Sequence, residues 1–185
     1  MRIKGLPFVT SGFIHNPWPR TPLPHSTPDD VPGRGILESM FHDPVKPRVG
    51  SVVCCRLGIK FDHSGIYVGR NRIIHRDGDG FLALVPPDVF LERLSGFNPA
   101  VDIFVACDEE GRPIGSPDIA TRARAALKDP SLKKGYNVFF NNCHHFCRYC
   151  VTGELEFKGP HNCSFRSLQS LLKRELGLAT WRRWG

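Results

Sequence analysis

Apolar residues are irregular up to Arg48 and then recur with two distinct periods. Val49 to Arg56 is a β-branched run broken by Gly50, and Ile66-Tyr67-Val68 and Arg72-Ile73-Ile74-His75 are short runs of strand character. Gly69-Arg70-Asn71 lies between the last two and has turn chemistry, so they are predicted to form a hairpin. Another strand is predicted over Val101 to Ala106. Beyond it the spacing becomes helical. Ser116 caps a helix that has Pro117 at its first position, runs through Ile119, Ala123, Ala126 and Leu127, and stops before Pro130. After Gly135, Tyr136 to Phe140 leads into a helix that starts near Asn142 and ends at Gly153. A last helix is predicted from Ser164 to Gly177, with Phe165, Leu168, Leu171, Leu172 and Leu176 on one face. Strands followed by helices, without an internal repeat, indicate an α+β fold.

The 185 residues suffice for one domain with a proper core, and 41% hydrophobic with 23% charged residues is an ordinary globular balance. Nine of the sixteen prolines precede residue 50, so residues 1–47 read as a proline-rich arm with one short helical stretch, Ile36 to His42. The domain proper is expected over residues 48–177, and residues 178–185 form a basic tail with two tryptophans. That tail suits a lipid interface, although the preceding leucine face has the plainer use of packing on the domain.

The net charge of +7 points to an anionic partner such as a phospholipid surface or an acidic substrate. Its basic residues are spread along the chain, which fits a solubilising surface equally well. With no recognised nucleic-acid-binding signature, nucleic acid is not an expected partner. Seven cysteines, two adjacent and three within one short segment, make a poor disulfide framework. Together with an opening stretch that lacks a long apolar run, they suggest a reducing, cytoplasmic setting. Nothing approaches the ~20 apolar residues of a membrane span, so any membrane contact is expected to be peripheral.

Two segments carry chemistry: Asp62-His63-Ser64-Gly65-Ile66-Tyr67-Val68-Gly69, with His75 twelve residues after His63, and Asn141-Asn142-Cys143-His144-His145-Phe146. A thiol of ordinary pKa, about 8.5, is mostly protonated near neutral pH and needs activation to act as a nucleophile. A helix start supplies partial positive charge and free N–H groups, and an imidazole supplies a base. Cys143 is placed at a predicted helix start, where its own N–H is available to an oxyanion. In a hairpin turning near Arg70, positions 63 and 75 fall close to opposite one another. One imidazole can then act as base while the other orients it. On this reading Cys143 is an activated thiolate that alkylates before the other six cysteines.

These residues resemble the lecithin–retinol acyltransferase-like family. The pattern is His63-x-Gly65-Ile66-Tyr67-Val68-Gly69, then Ile74-His75, then Tyr136-Asn137 and Asn141-Asn142-Cys143-x-His145-Phe146, and it spans roughly residues 48 to 153. The resemblance implies a circularly permuted papain-like (NlpC-type) fold, an antiparallel sheet packed against helices. It implies Cys143 as nucleophile, His63 as base and His75 as third member, with no cofactor. It further implies acyl transfer or hydrolysis through a thioester, on an acyl ester, thioester or amide. Permuted amidases and non-catalytic viral modules carrying similar boxes are the alternatives. The chain departs from the family at His144, which stands in place of the usual glutamate and adds a titratable cation. Where acyltransferases of the family often carry a hydrophobic C-terminal anchor, it is expected to have a short amphipathic stretch and Trp181-Arg182-Arg183-Trp184. The proline-rich arm has no family counterpart.

Other features have plainer readings. Cys143, Cys147 and Cys150 share a helix face and invite a zinc site, but Phe146, Cys147, Cys150 and Val151 equally form a buried stripe, and no metal is expected. Of Cys54 and Cys55, alternation sends at most one to the core. Asp77-Gly78-Asp79-Gly80 lacks the remaining ligands of a calcium loop and is read as a turn. His144 is expected to be exposed and His145 structural.

Overall fold

The computed structural model describes residues 43–57, 61–92, 102–129, 132, 142–154 and 163–185. They belong to the larger of two units, Val31–Gly185. The smaller unit, Met1–Asp30, lies outside the described residues, as do the predicted helix at Ile36 to His42 and the Tyr136 to Phe140 lead-in. The strands are β1 (Val52–Leu57), β2 (Phe61–Gly69), β3 (Arg72–Arg76), β4 (Leu82–Val85), β5 (Ile103–Cys107) and β6 (Thr180–Arg183). The helices are α1 (Pro87–Leu91), α2 (Pro117–Lys128), α3 (Cys143–Thr152) and α4 (Phe165–Leu176).

The six strands form one antiparallel sheet in the order β4-β3-β2-β1-β5-β6. Apolar clusters line both of its faces, which explains why β1 and β5 are apolar at consecutive positions. Val52, Cys54, Phe104 and Ala106 join Ile66, Phe146, Cys147, Cys150, Leu168 and Leu172 under the helices. Val53, Cys55, Ile103, Val105 and Cys107 face the other way, with Ile73, Val85 and Phe90. Cys54 and Cys55 are therefore both fully buried, one on each face, against the expectation that at most one would be. All seven cysteines are buried, and none is in a disulfide.

The three predicted helices form where their caps place them. Ser116 accepts from Ile119 N–H ahead of Pro117, Asn142 accepts from His145 N–H, and Ser164 accepts from Ser167 N–H. Gly153 and Gly177 close α3 and α4 in left-handed conformation. Arg122 of α2 donates to the carbonyls of Cys150 (2.6 Å) and Val151 (2.9 Å), so a cation satisfies the C-terminal end of α3.

Four elements depart from the sequence reading. β4 and α1 follow the hairpin where only a turn was expected, and that turn itself forms, with Asp77 Oδ1 accepting from Asp79 N–H at 3.1 Å and Phe81 N–H at 2.7 Å. The 178–185 segment is a sheet edge rather than a tail. Trp181 pairs with Ala106 and is 2% exposed, buried under the helices, while Val45 of the arm bridges to Trp184. The first strand starts at Val52 rather than Val49. Gly50 takes φ +90°, and a Cβ there would sit 1.8 Å from the Ser116 carbonyl oxygen.

Candidate active site

The β2–β3 hairpin turns through Arg70 and Asn71, both at positive φ, the conformation that suits the twist of a two-residue hairpin turn. Gly69 pairs with Arg72 across the turn, and beyond an irregularity between Tyr67 and Gly69 His75 lies opposite Gly65 rather than His63. The two histidines meet diagonally instead, with His63 Nε2 and His75 Nδ1 at 2.7 Å. Gly65 makes this close approach feasible. A Cβ at that position would lie 2.6 Å from Ile73 Cγ2 and 3.1 Å from His75 Cβ. Phe90 of α1 backs both rings, at centroid distances of 4.8 Å to His63 and 5.3 Å to His75. Sequence reasoning missed Phe90. Its signal was Pro86-Pro87-Asp88, a proline helix start with an acid in the first turn.

Cys143 is the first residue of α3. The cap that fixes it is doubly anchored: Asn142 Oδ1 accepts from His145 N–H at 2.9 Å, and Asn142 Nδ2 donates to the Cys163 carbonyl at 3.0 Å. Ser64, which directly follows His63, is the residue of β2 that meets the start of α3, with its hydroxyl 2.9 Å from His144 Nδ1 and 3.3 Å from Cys147 Sγ. The fold thus joins His63 to His75 directly and brings the helix start that carries Cys143 to the adjacent residue of the same strand.

The electrostatics differ from the expectation of a preformed thiolate. Cys143 is buried, and burial pushes its thiol up to about 11 in spite of its place at a helix start. The resting Cys143 is therefore a neutral thiol near neutral pH, and a nucleophilic role would require a base. Arg76, which the sequence reading passed over although it follows His75 directly, is a buried guanidinium whose field reaches Cys143. It donates to the carbonyls of Gly80 at 2.7 Å and Leu132 at 3.0 Å.

His144 is also corrected. It is buried, not exposed, with Nδ1 2.9 Å from Ser64 Oγ and 3.9 Å from Cys143 Sγ. Burial depresses its ring to about 4, so near neutral pH it adds no cation. Burial penalises the imidazolium as it penalises the thiolate, which disfavours His144 as the base. Cys147 and Cys150 lie in the helix–sheet core with Phe146 and Val151, and among the described residues no group of three His, Cys, Asp or Glu is placed to hold a metal.

The family model for lecithin retinol acyltransferase matches residues 45–156, more than half of the chain. The chain belongs to the lecithin retinol acyltransferase family. The matched span contains the hairpin with His63 and His75 and the whole of α3, while α4 and β6 follow it. Membership points to acyl-transfer chemistry of the thiol-enzyme kind. Comparison with curated proteins and with solved structures gives no match. Among the described residues, no helix is long and apolar enough to cross a membrane.

Proposed function

We propose that this protein is a cofactor-free thiol enzyme that transfers or hydrolyses acyl groups through a thioester on Cys143. The observation that carries the reading is the buried His63–His75 contact at 2.7 Å on the strand whose next residue, Ser64, meets the start of α3 beside Cys143, 2.9 Å from His144 Nδ1. In this mechanism His63 takes the thiol proton as Cys143 attacks the carbonyl carbon, and His75 fixes the tautomer and orientation of His63. Attack gives a tetrahedral oxyanion, and the main-chain N–H of Cys143 serves as one donor to it. Protonated His63 then returns the proton to the departing alcohol or amine. The resulting thioester is passed to water or to an acceptor, with His63 again as base. The helix start carrying the thiol and the sheet carrying the base support the permuted papain-like arrangement.

A lipid ester is the substrate class favoured here. Phe81 is 55% exposed and Leu84 48% exposed, at the edge strand that pairs with the strand of His75, and the chain carries a net charge of +7. Apolar surface for an acyl chain and positive charge for a phosphate suit a phospholipid or an anionic membrane held peripherally. The raised thiol pKa favours a second reading, a binding module that keeps the fold without turnover. A turnover assay separates the two. With phosphatidylcholine vesicles labelled in the acyl chain, the enzyme reading expects fatty acid release, or transfer to an added amine, that vanishes in Cys143→Ser. Vesicle binding without any labelled product would select the binding module.

A further inference from the structure

His144 brings a second imidazole within reach of the Cys143 sulfur, and the mechanism above makes no use of it. Its Nδ1 lies 2.9 Å from Ser64 Oγ and 3.9 Å from Cys143 Sγ, so a hydroxyl and a thiol face one ring nitrogen. All three residues are buried. Phe165 backs the His144 ring at a centroid distance of 5.5 Å and itself rests on Trp181 at 5.6 Å. The direction of the Ser64 hydroxyl follows from its other neighbour. Cys147 Sγ donates to Ser64 Oγ at 3.3 Å, and a buried hydroxyl needs an acceptor for its own proton. His144 Nδ1 is that acceptor, which makes it the unprotonated nitrogen of the ring and puts the one N–H of the neutral imidazole on Nε2. An unprotonated ring nitrogen offers a single lone pair. An O–H donor at 2.9 Å takes it ahead of a weak S–H donor at 3.9 Å.

We propose that Ser64 is a positioning residue that fills the Nδ1 lone pair of His144 and so leaves the Cys143 thiol proton to His63. The role is a choice of hydrogen-bond partner, with no covalent bond made or broken. Without the hydroxyl, Nδ1 is a buried acceptor lacking a donor, which carries a penalty, and the Cys143 S–H is a donor in reach to relieve it. The thiol then turns toward an imidazole that burial makes a poor base, and its proton is held where no transfer follows. The arrangement is economical in sequence. Ser64 directly follows His63 in β2, and His144 directly follows Cys143 in α3, so the strand that carries the base also occupies the imidazole that competes with it.

This inference rests on the reading of Cys143 as nucleophile and His63 as its base, but its test reads hydrogen bonds rather than turnover. The first measurement needs no variant in the site chemistry: nitrogen NMR of the isotope-labelled histidine rings in the full chain, near neutral pH. His144 is expected as the Nε2–H tautomer, and a proton on its Nδ1 overturns the proposal. The second is the S–H stretch of Cys143 in the infrared, isolated as the difference against Cys143→Ala in the same background. In Ser64→Ala that band is expected to move to lower frequency as the thiol bonds Nδ1. Iodoacetamide alkylation of Cys143, mapped by mass spectrometry, is expected to slow roughly two- to tenfold with it, the weight of one hydrogen bond. Ser64→Ala/His144→Phe removes both polar partners and keeps a ring against Phe165, so band and rate should return close to those of the wild type. A Ser64 that mattered only for packing would leave the double variant as slow as the single one or slower, and that result overturns the proposal. An S–H band unmoved in Ser64→Ala overturns it as well. A Cys143 that accepts no acyl group while tautomer, band and rate follow the expected pattern supports the competition for Nδ1 and counts against the enzyme reading alone.

Discussion

At the scale of single residues, identity and ionisation separate. The meeting of His63 with His75 and the place of Cys143 at a helix start were legible in the sequence because each follows from a local pattern, a hairpin and a capped helix. The protonation of Cys143 and His144 was not legible, since it depends on what other parts of the chain bury. His144 shows this most clearly. Burial holds it at about 4 in the folded protein against 6.5 for an ordinary histidine, so the folded state is favoured in full above pH 6.5. That contribution is lost as pH falls through 4 and is worth roughly 3 kcal/mol, as an upper figure for a group so fully buried. Urea unfolding between pH 7 and pH 4 should therefore show a fall in stability that His144→Asn flattens. An equal fall in the variant would place the acid sensitivity elsewhere. The thiols act in the opposite window. Cys143 and Cys107 are raised to about 11 and Cys55 to about 12, so their contribution is full below pH 9 and lost as pH rises through 11.

The elements that sequence reasoning found are those with capping chemistry or a strong period: α2, α3 and α4 with their serine and asparagine caps, and the β2–β3 hairpin with its turn. Those it missed are short or sit at an edge. β4 has only four residues, and β6 combines one inward tryptophan with two arginines, a pattern that reads as a charged tail until β5 is seen beside it. The hairpin register was misjudged by two residues because the turn is the two-residue Arg70-Asn71, with Gly69 paired to Arg72, rather than one centred on Gly69, and the irregularity at Tyr67 to Gly69 takes back only one residue of the difference. Gly65 tests how closely the hairpin controls the site. Gly65→Ala inserts a methyl 2.6 Å from Ile73 Cγ2 and 3.0 Å from the Ile74 carbonyl oxygen, forcing β3 to shift. The expected cost is about 1–3 kcal/mol of stability, with a larger relative loss of activity, because His75 moves with its strand. A folded variant with undiminished activity would show that the His63–His75 contact is dispensable.

At the scale of the whole molecule, the sheet is closed by residues far apart in the chain, and Trp181 is the clearest case. Its burial under the helices makes the C-terminal segment part of the core, so removing residues 178–185 should collapse stability rather than only weaken vesicle binding. Trp181→Ala alone should cost about 3–5 kcal/mol, read by thermal or urea unfolding. An unchanged midpoint would return the segment to the status of a tail. The α+β class was legible from the order of periods along the chain, whereas the edge that β6 closes depends on a long-range pairing that no local pattern announces. The central claim is that Cys143 receives an acyl group with His63 as base, and intact-mass measurement after incubation with an activated long-chain acyl ester tests it most directly. The account predicts one hydroxylamine-labile acyl adduct, mapped to Cys143, absent in Cys143→Ala, nearly absent in His63→Ala and reduced but present in His75→Gln. An adduct on another residue, or one that forms on Cys143 as readily without His63, would contradict it.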